Sequence, residues 1–228
     1  MRISPEIEQR LRELLTIFME ENRKLNLSAF RTEEDCWVGN ILDSLAFLEI
    51  FPKRIPTNRT PRIIEVGTGG GFPLLPIAIA LPEAHCAGMD ATRKKIVAVE
   101  SIVKRMGLRN ITLTCGRAEE LGRDPAHREQ YDIALARGLA ELPTLLELAS
   151  PFVRTGGHLV LWKSMNIEEE LRNSKRAQEE LFCTLECRYR YALPGKWPEL
   201  QLLIFKKTSS TSTMYPRGIG IPSKRPLR

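Results

Sequence analysis

Between residues 4 and 26, apolar side chains recur at Ile7, Leu11, Leu14, Leu15 and Phe18, the spacing of one helical face. Ser4 stands where an N-cap would, and Pro5 at the first helical position. A second helix is predicted from Thr32, with acids at 33, 34 and 35 in its first turn and Trp37, Ile41, Leu45 and Leu48 on its inner face. Residues 52–61 carry three prolines and no apolar period, which reads as a linker. Beyond it the pattern changes. Short β-branched runs at 62–66, 85–89, 111–115, 131–136 and 158–162 alternate with helical stretches near 73–80, 92–106, 140–152 and 167–181. Two last runs, near 187–191 and 200–205, have only a turn around Pro194-Gly195 between them and predict an antiparallel hairpin. The expectation is an α/β fold: a mostly parallel seven-stranded sheet, helices on both faces, an antiparallel edge hairpin and an N-terminal helical cap. The chain divides at this level into a cap and linker (1–60), a main α/β domain (61–207) and a C-terminal tail (208–228).

Composition narrows the class. With 228 residues, 43% hydrophobic and 27% charged, the chain suits one soluble globular core with appendages. No apolar run reaches the roughly 18 residues of a membrane span. The N-terminus turns acidic by Glu6 without an apolar leader, so a cytoplasmic location and no membrane partner are expected. Five cysteines, at 36, 86, 115, 183 and 187, form no Cys-x-x-Cys pair, and His85, His127 and His158 stand singly. Buried free thiols and no metal are expected. The net charge of +6 is uneven: no acid follows Glu199, while Lys206, Lys207, Arg217, Lys224, Arg225 and Arg228 do. Such a terminus fits either a solvated tail or a polyanionic partner.

The candidate chemistry lies after the first β-run, at Glu65-Val66-Gly67-Thr68-Gly69-Gly70-Gly71-Phe72-Pro73. Glycines here let the chain turn sharply from strand to helix and let a ligand approach the backbone. A dinucleotide fingerprint would place glycine at 72, where this chain has Phe72. The observed G-x-G-x-G with an upstream acid suits a neutral or cationic ligand instead, Glu65 holding an ammonium directly or through water. This loop resembles motif I of Rossmann-like, class I S-adenosylmethionine methyltransferases. Asp90, ending the second run, is placed to accept ribose hydroxyls, and Ala118 and Glu119 follow the third run, where such enzymes hold the adenine edge.

Further segments extend the resemblance over nearly the whole chain: Leu25-Asn26-Leu27-Ser28, Ile41-Leu42-Asp43-Ser44-Leu45, Lys94-Lys95, Arg117-Ala118-Glu119-Glu120, Ala136-Arg137-Gly138, and Tyr215-Pro216-Arg217 with Gly220, Pro222 and Lys224. Together with the glycine loop they are similar to the ribosomal RNA small-subunit methyltransferase G family, also called the glucose-inhibited division protein B family. The resemblance implies transfer of a methyl group from S-adenosyl-L-methionine to N7 of one guanine in 16S ribosomal RNA near the decoding centre. It implies 16S ribosomal RNA or the small subunit as partner. It implies cofactor contacts at Gly67, Phe72, Ala118, Glu119 and Arg137, to which the reading of the loop and of the second strand's end adds Gly69 and Asp90. The chain departs from the family's usual residues at Asn40, Leu74, Ala91 and Ser164, positions that bear on substrate geometry more than on the cofactor.

Guanine N7 has a lone pair and no proton to lose, so the reaction needs no general base, and the absence of an evident nucleophile is consistent with it. Arg137, closing the fourth run, is the candidate catalytic residue, holding the cofactor's carboxylate or the O6 edge of guanine; it is expected to lie outside the core. Lys163 is a candidate phosphate contact, with a solvated surface lysine as the equal alternative. Arg217 and Lys224 are candidate RNA contacts on a flexible basic arm, with Tyr215 as a stacking ring, and cofactor binding is expected not to depend on that arm. Asn26 and Asp43 read as structural, joining the two cap helices. A small-molecule methyltransferase of the same fold and a non-catalytic ribosome-assembly factor stay open on the residues alone.

Overall fold

The computed structural model describes residues 3–56 and 59–228; Thr57 and Asn58 of the proline-rich stretch, and Met1-Arg2 at the N-terminus, lie outside the described residues. Helix α1 (Pro5–Leu25) starts where the pattern placed it, the Ser4 hydroxyl accepting from the Ile7 amide. It ends at Asn26, whose left-handed backbone (φ 51°) sends its N–H to the Asn22 carbonyl. Leu11, Leu14, Leu15 and Phe18 are buried, as the periodicity requires.

The second cap segment is less regular than its pattern. Thr32 caps α2 (Glu33–Cys36) by accepting from the Asp35 amide. The chain then widens into a π-helical turn (Trp37–Leu42) before α3 (Asp43–Leu45) and α4 (Phe47–Ile50). Ile41 and Leu45 are buried as expected, but Trp37 and Leu48 are only half-buried. Trp37 is roofed instead by the Arg12 guanidinium, 3.6 Å from its ring centre. In the segment that follows, Ile55 reaches the core at 2% exposed, while Pro52, Lys53, Arg54 and Pro56 around it are exposed.

The main unit alternates β1 (Arg62–Val66), α5 (Leu74–Ala80), β2 (His85–Asp90), α6 (Arg93–Arg105), β3 (Ile111–Cys115), α7 (Ala118–Leu121), β4 (Tyr131–Arg137), α8 (Leu142–Ala149) and β5 (Val153–Ser164). Then come α9 (Glu168–Asn173), α10 (Lys175–Glu180), β6 (Cys183–Tyr191), β7 (Leu200–Lys207) and α11 (Ile221–Lys224). The seven strands lie in the order β3-β2-β1-β4-β5-β7-β6. β1 to β5 pair in parallel, and β7 runs antiparallel between β5 and β6. The expected fold class is therefore present, edge hairpin included. Because the order reverses between β1 and β4, the carboxyl ends of these strands flank a crevice, which is where such sheets bind ligands.

Two apolar layers close the sheet. On one face α8, α10 and the tail residues Tyr215 and Leu227 join the inward side chains of β1, β4 and β5. On the other, α1 packs with α5 and α6 through Phe18, Leu75, Ile79, Val99 and Ile102, so the cap is continuous with the sheet's cover.

The tail is not a free arm. Lys207, fully buried, donates to the Ser150 and Val153 carbonyls and to the Thr211 hydroxyl. Arg128 donates to the carbonyls of Thr211, Ser212 and Tyr215. Arg217 grips the buried Glu147 carboxylate through Nε and Nη2, at 2.9 and 2.6 Å. Composition had counted these cations as available charge; the fold has given them partners, and the segment is a strap bound across α8.

Candidate active site

The glycine loop sits over the switch point. Gly67 (φ 76°) and Gly69 (φ 54°) take left-handed backbone that other residues adopt only with strain. The Gly67 and Thr68 amides donate to the Met89 carbonyl, folding the loop over the end of β2. Asp90 fixes it from there, one carboxylate oxygen accepting from the Gly69 amide at 3.0 Å and the other from Thr92 at 2.8 Å. Each oxygen retains a lone pair for a ligand hydroxyl.

Glu65 lies beneath the loop, completely buried. Its Oε2 accepts from the Thr68 hydroxyl (2.6 Å) and the Leu74 amide (3.2 Å), while Oε1 has no protein partner. Burial pushes its carboxyl up to about 8, with the Thr68 hydroxyl, the Arg137 charge and the Leu74 amide pulling the other way. Oε1 is thus a buried acceptor left without a donor, and Glu65 itself lines neither of the cavities that open on this loop.

Two cavities open on this loop and both include Gly67. The smaller, about 340 Å³, runs along the ends of β2 and β3 and is lined by Asp90, Lys95, Ala118, Glu119 and, from the strap, Ser223. Glu119 is mostly buried, and its Oε1 accepts from the Gly220 amide at 2.9 Å, so the strap is tied to this wall. The larger, about 600 Å³, lies between the cap and the end of β4, with Phe30, Asn40, Asp43, Phe72, Arg137 and Trp197 on its walls. The Leu139 side chain stands against Gly67, touching the point where the cavities share a wall.

Arg137 is held on the rim of the larger cavity. Its Nη1 donates to the Gly39 carbonyl (2.8 Å) and to Asp43 (2.6 Å), and its Nη2 to the Asn40 side chain (2.9 Å). The π-helical turn supplies Gly39 and Asn40, and Asp43 follows it directly. Tyr191 donates to the other Asp43 oxygen, and Trp162 Nε1 to the Asp43 carbonyl. Burial, then the adjacent Asp43 charge, raises the Tyr191 phenol far above its ordinary value, so it stays a donor.

Several expectations change. Asp43, read as joining the cap helices, binds β4 and β6 instead; Asn26 caps α1 and touches neither cavity. Lys163 is neither free nor solvated, donating to Glu170 at 2.6 Å and to the Ala140 carbonyl, which holds the loop after β4. Tyr215 is buried with its hydroxyl on Glu180, so it offers no stacking face, and Arg217 is committed to Glu147. Lys224 is exposed, beside the cavity-lining Ser223. Gly67, Gly69 and Phe72 meet on the larger cavity with Arg137, and Asp90, Ala118 and Glu119 on the smaller. Asn40 and Asp43 were missed as site residues. Their signal was that, with Ser44, they are the polar residues of an otherwise apolar helical run, Val38 to Leu48.

A glycine loop at the β1/β4 switch and an acid closing β2 are the arrangement of a Rossmann-like methyltransferase that uses S-adenosylmethionine. Solved structures share the fold: a putative O-methyltransferase from Klebsiella pneumoniae (TM-score 0.56, 16% identity, covering 90% of this chain and 92% of that one). Another is M. jannaschii TYW2 in complex with AdoMet (TM-score 0.53, 15% identity, 74% and 76%). The family described as rRNA small subunit methyltransferase G matches residues 7–186. The ribosomal RNA small subunit methyltransferase G of Carboxydothermus hydrogenoformans is 37% identical over 211 residues, 92% of this chain and 88% of that protein. The chain belongs to the rRNA small subunit methyltransferase G family.

Proposed function

We propose that the protein methylates N7 of a guanine in 16S ribosomal RNA, acting in the cytoplasm on the small subunit or its RNA. The observation that carries this is the pair of cavities meeting at Gly67, one shaped for an adenosine and the other large enough for an extruded base, with Arg137 fixed on the rim. Asp90 accepts the ribose hydroxyls, Ala118 and Glu119 bound the adenine, and Glu65 receives the ammonium. When bound, S-adenosylmethionine supplies an electrophilic methyl group. The lone pair of guanine N7 needs no base to remove a proton, and among the described residues lining the larger cavity the ionisable side chains are Asp43 and Arg137, already paired with each other. The protein's part is orientation and exclusion of water, worth up to about 7–11 kcal/mol in well-aligned reactions. Arg137, planar and pinned by three acceptors, is placed to face the O6 edge that distinguishes guanine. Lys95, on the wall of the smaller cavity, and the exposed Lys224, next to Ser223 of that wall, are the cations we assign to RNA phosphates in place of Lys163 and Arg217.

The test is transfer of labelled methyl from S-adenosylmethionine to 16S RNA and to small subunits lacking the modification, followed by mapping of the product. A single 7-methylguanine is expected. Transfer only to small molecules, or methyl on another atom, would reject the assignment.

A further inference from the structure

Trp197 has no structural task evident in the fold. It lies in the hairpin loop between β6 and β7, is half-exposed, and joins none of the buried apolar clusters among the described residues. Its ring meets Phe30 of the cap edge to face, centres 5.2 Å apart at 74°. Both rings line the larger cavity opposite the glycine loop. They converge on Gly39, where an added Cβ would lie 2.5 Å from each. The same glycine's carbonyl holds Arg137. The aromatic pair and the arginine are therefore positioned by one residue, which must lack a side chain for the rings to close. Each ring is followed or preceded by an exposed cation, Arg31 after Phe30 and Lys196 before Trp197.

Leaving a half-exposed indole at a cavity mouth forgoes much of the stabilisation its burial would give, and aromatic rings interleaved with cations are how proteins hold single-stranded RNA. We propose that Trp197, backed by Phe30, is the platform on which the target base stacks once it leaves the RNA helix, with Arg31 and Lys196 on its flanking phosphates. The edge-to-face contact leaves the face of one ring free for a base while the other fixes its tilt. Guanine then lies between this wall and Arg137, and the chemistry is selected by Arg137 while the platform accepts any purine. This rests on the RNA reading above.

Three variants, Trp197→Leu, Trp197→Ala and Trp197→Phe, test it. For each, thermal unfolding and S-adenosylmethionine affinity are measured first and are expected to match wild type. Loss of one stacked base, about 1–3 kcal/mol, corresponds to about fivefold or more. The leucine and alanine variants should therefore raise the KM for small-subunit RNA, and weaken RNA affinity in the presence of the demethylated cofactor, by at least that factor. The phenylalanine variant should stay near wild type. Leucine fills the space without a π face, so a merely space-filling role would leave that variant normal; wild-type KM and affinity in Trp197→Leu overturn the proposal. If wild-type protein methylates no small-subunit RNA, the RNA reading fails, and the affinity comparison still decides whether Trp197 stacks a base.

Discussion

Two side chains concentrate the consequences at residue scale. Glu65 is raised from an ordinary 4.5 to about 8, so in the free protein it is chiefly protonated at neutral pH. The stability this gives is fully present below the unfolded-state pKa and is lost as pH rises through about 8. A ligand ammonium at Oε1 favours the carboxylate and reverses the balance. Glu65→Gln is accordingly expected to match wild type in thermal unfolding near pH 5 and to exceed it at pH 9. It should bind S-adenosylmethionine more weakly by about 1.5–3 kcal/mol, the cost of a charge-assisted bond. Scans at both pH values with calorimetry check this, and unchanged affinity would remove Glu65 from the site. Arg137 was expected to be dispensable to the fold, yet it ties β4 to the cap. Removing it strands Asp43, which is 6% exposed at its side chain. Because Arg137 itself keeps 20%, the lower end of the range for broken buried pairs applies, about 3 kcal/mol. In urea unfolding, Arg137→Ala and Asp43→Asn should couple by more than about 0.5 kcal/mol in a double-mutant cycle. Additive effects would show that the pair does not act as a unit.

Elements show where a sequence speaks and where it stops. The bounds of β1 and β3 agree with their β-branched runs because turn formers flank them. β5 begins five residues before its apolar run, since Arg154 to Gly157 pair or turn without an apolar period. The helix expected over 167–181 is divided at Ser174, whose hydroxyl donates to the Leu171 carbonyl and competes with the helix backbone. The π-helical turn leaves no period that a search for 3.6 would find. The strap was the largest misreading, because its partners Glu119 and Glu147 lie 101 and 70 residues upstream of Gly220 and Arg217 respectively. Deleting residues 208–228 strips Glu147 of its cation and removes Tyr215 and Leu227 from the core. The truncated protein is expected to unfold at least about 5 °C lower, a loss of more than about 1–2 kcal/mol at this size. It should also bind S-adenosylmethionine more weakly, since Ser223 leaves the smaller cavity's wall and Glu119 loses the Gly220 amide. Equal melting and equal affinity would return the tail to a free arm.

At the scale of the whole molecule, the sheet supplies the loop, the cap supplies the anchors of Arg137, and the strap closes the smaller cavity. The sheet and its glycine loop were legible because they are local patterns; the closures were not, because each joins residues far apart in the chain. The strap carries a further consequence. Ser223 lies 133 residues beyond Asp90 on the same cavity wall (223 − 90), so the wall it contributes is synthesised well after the strands that carry the loop. Domains fold as they emerge, from the N-terminus onward. The sheet and its glycine loop can form before the strap has been made, and a chain stopped short of residue 208 carries the loop without the wall that closes the smaller cavity.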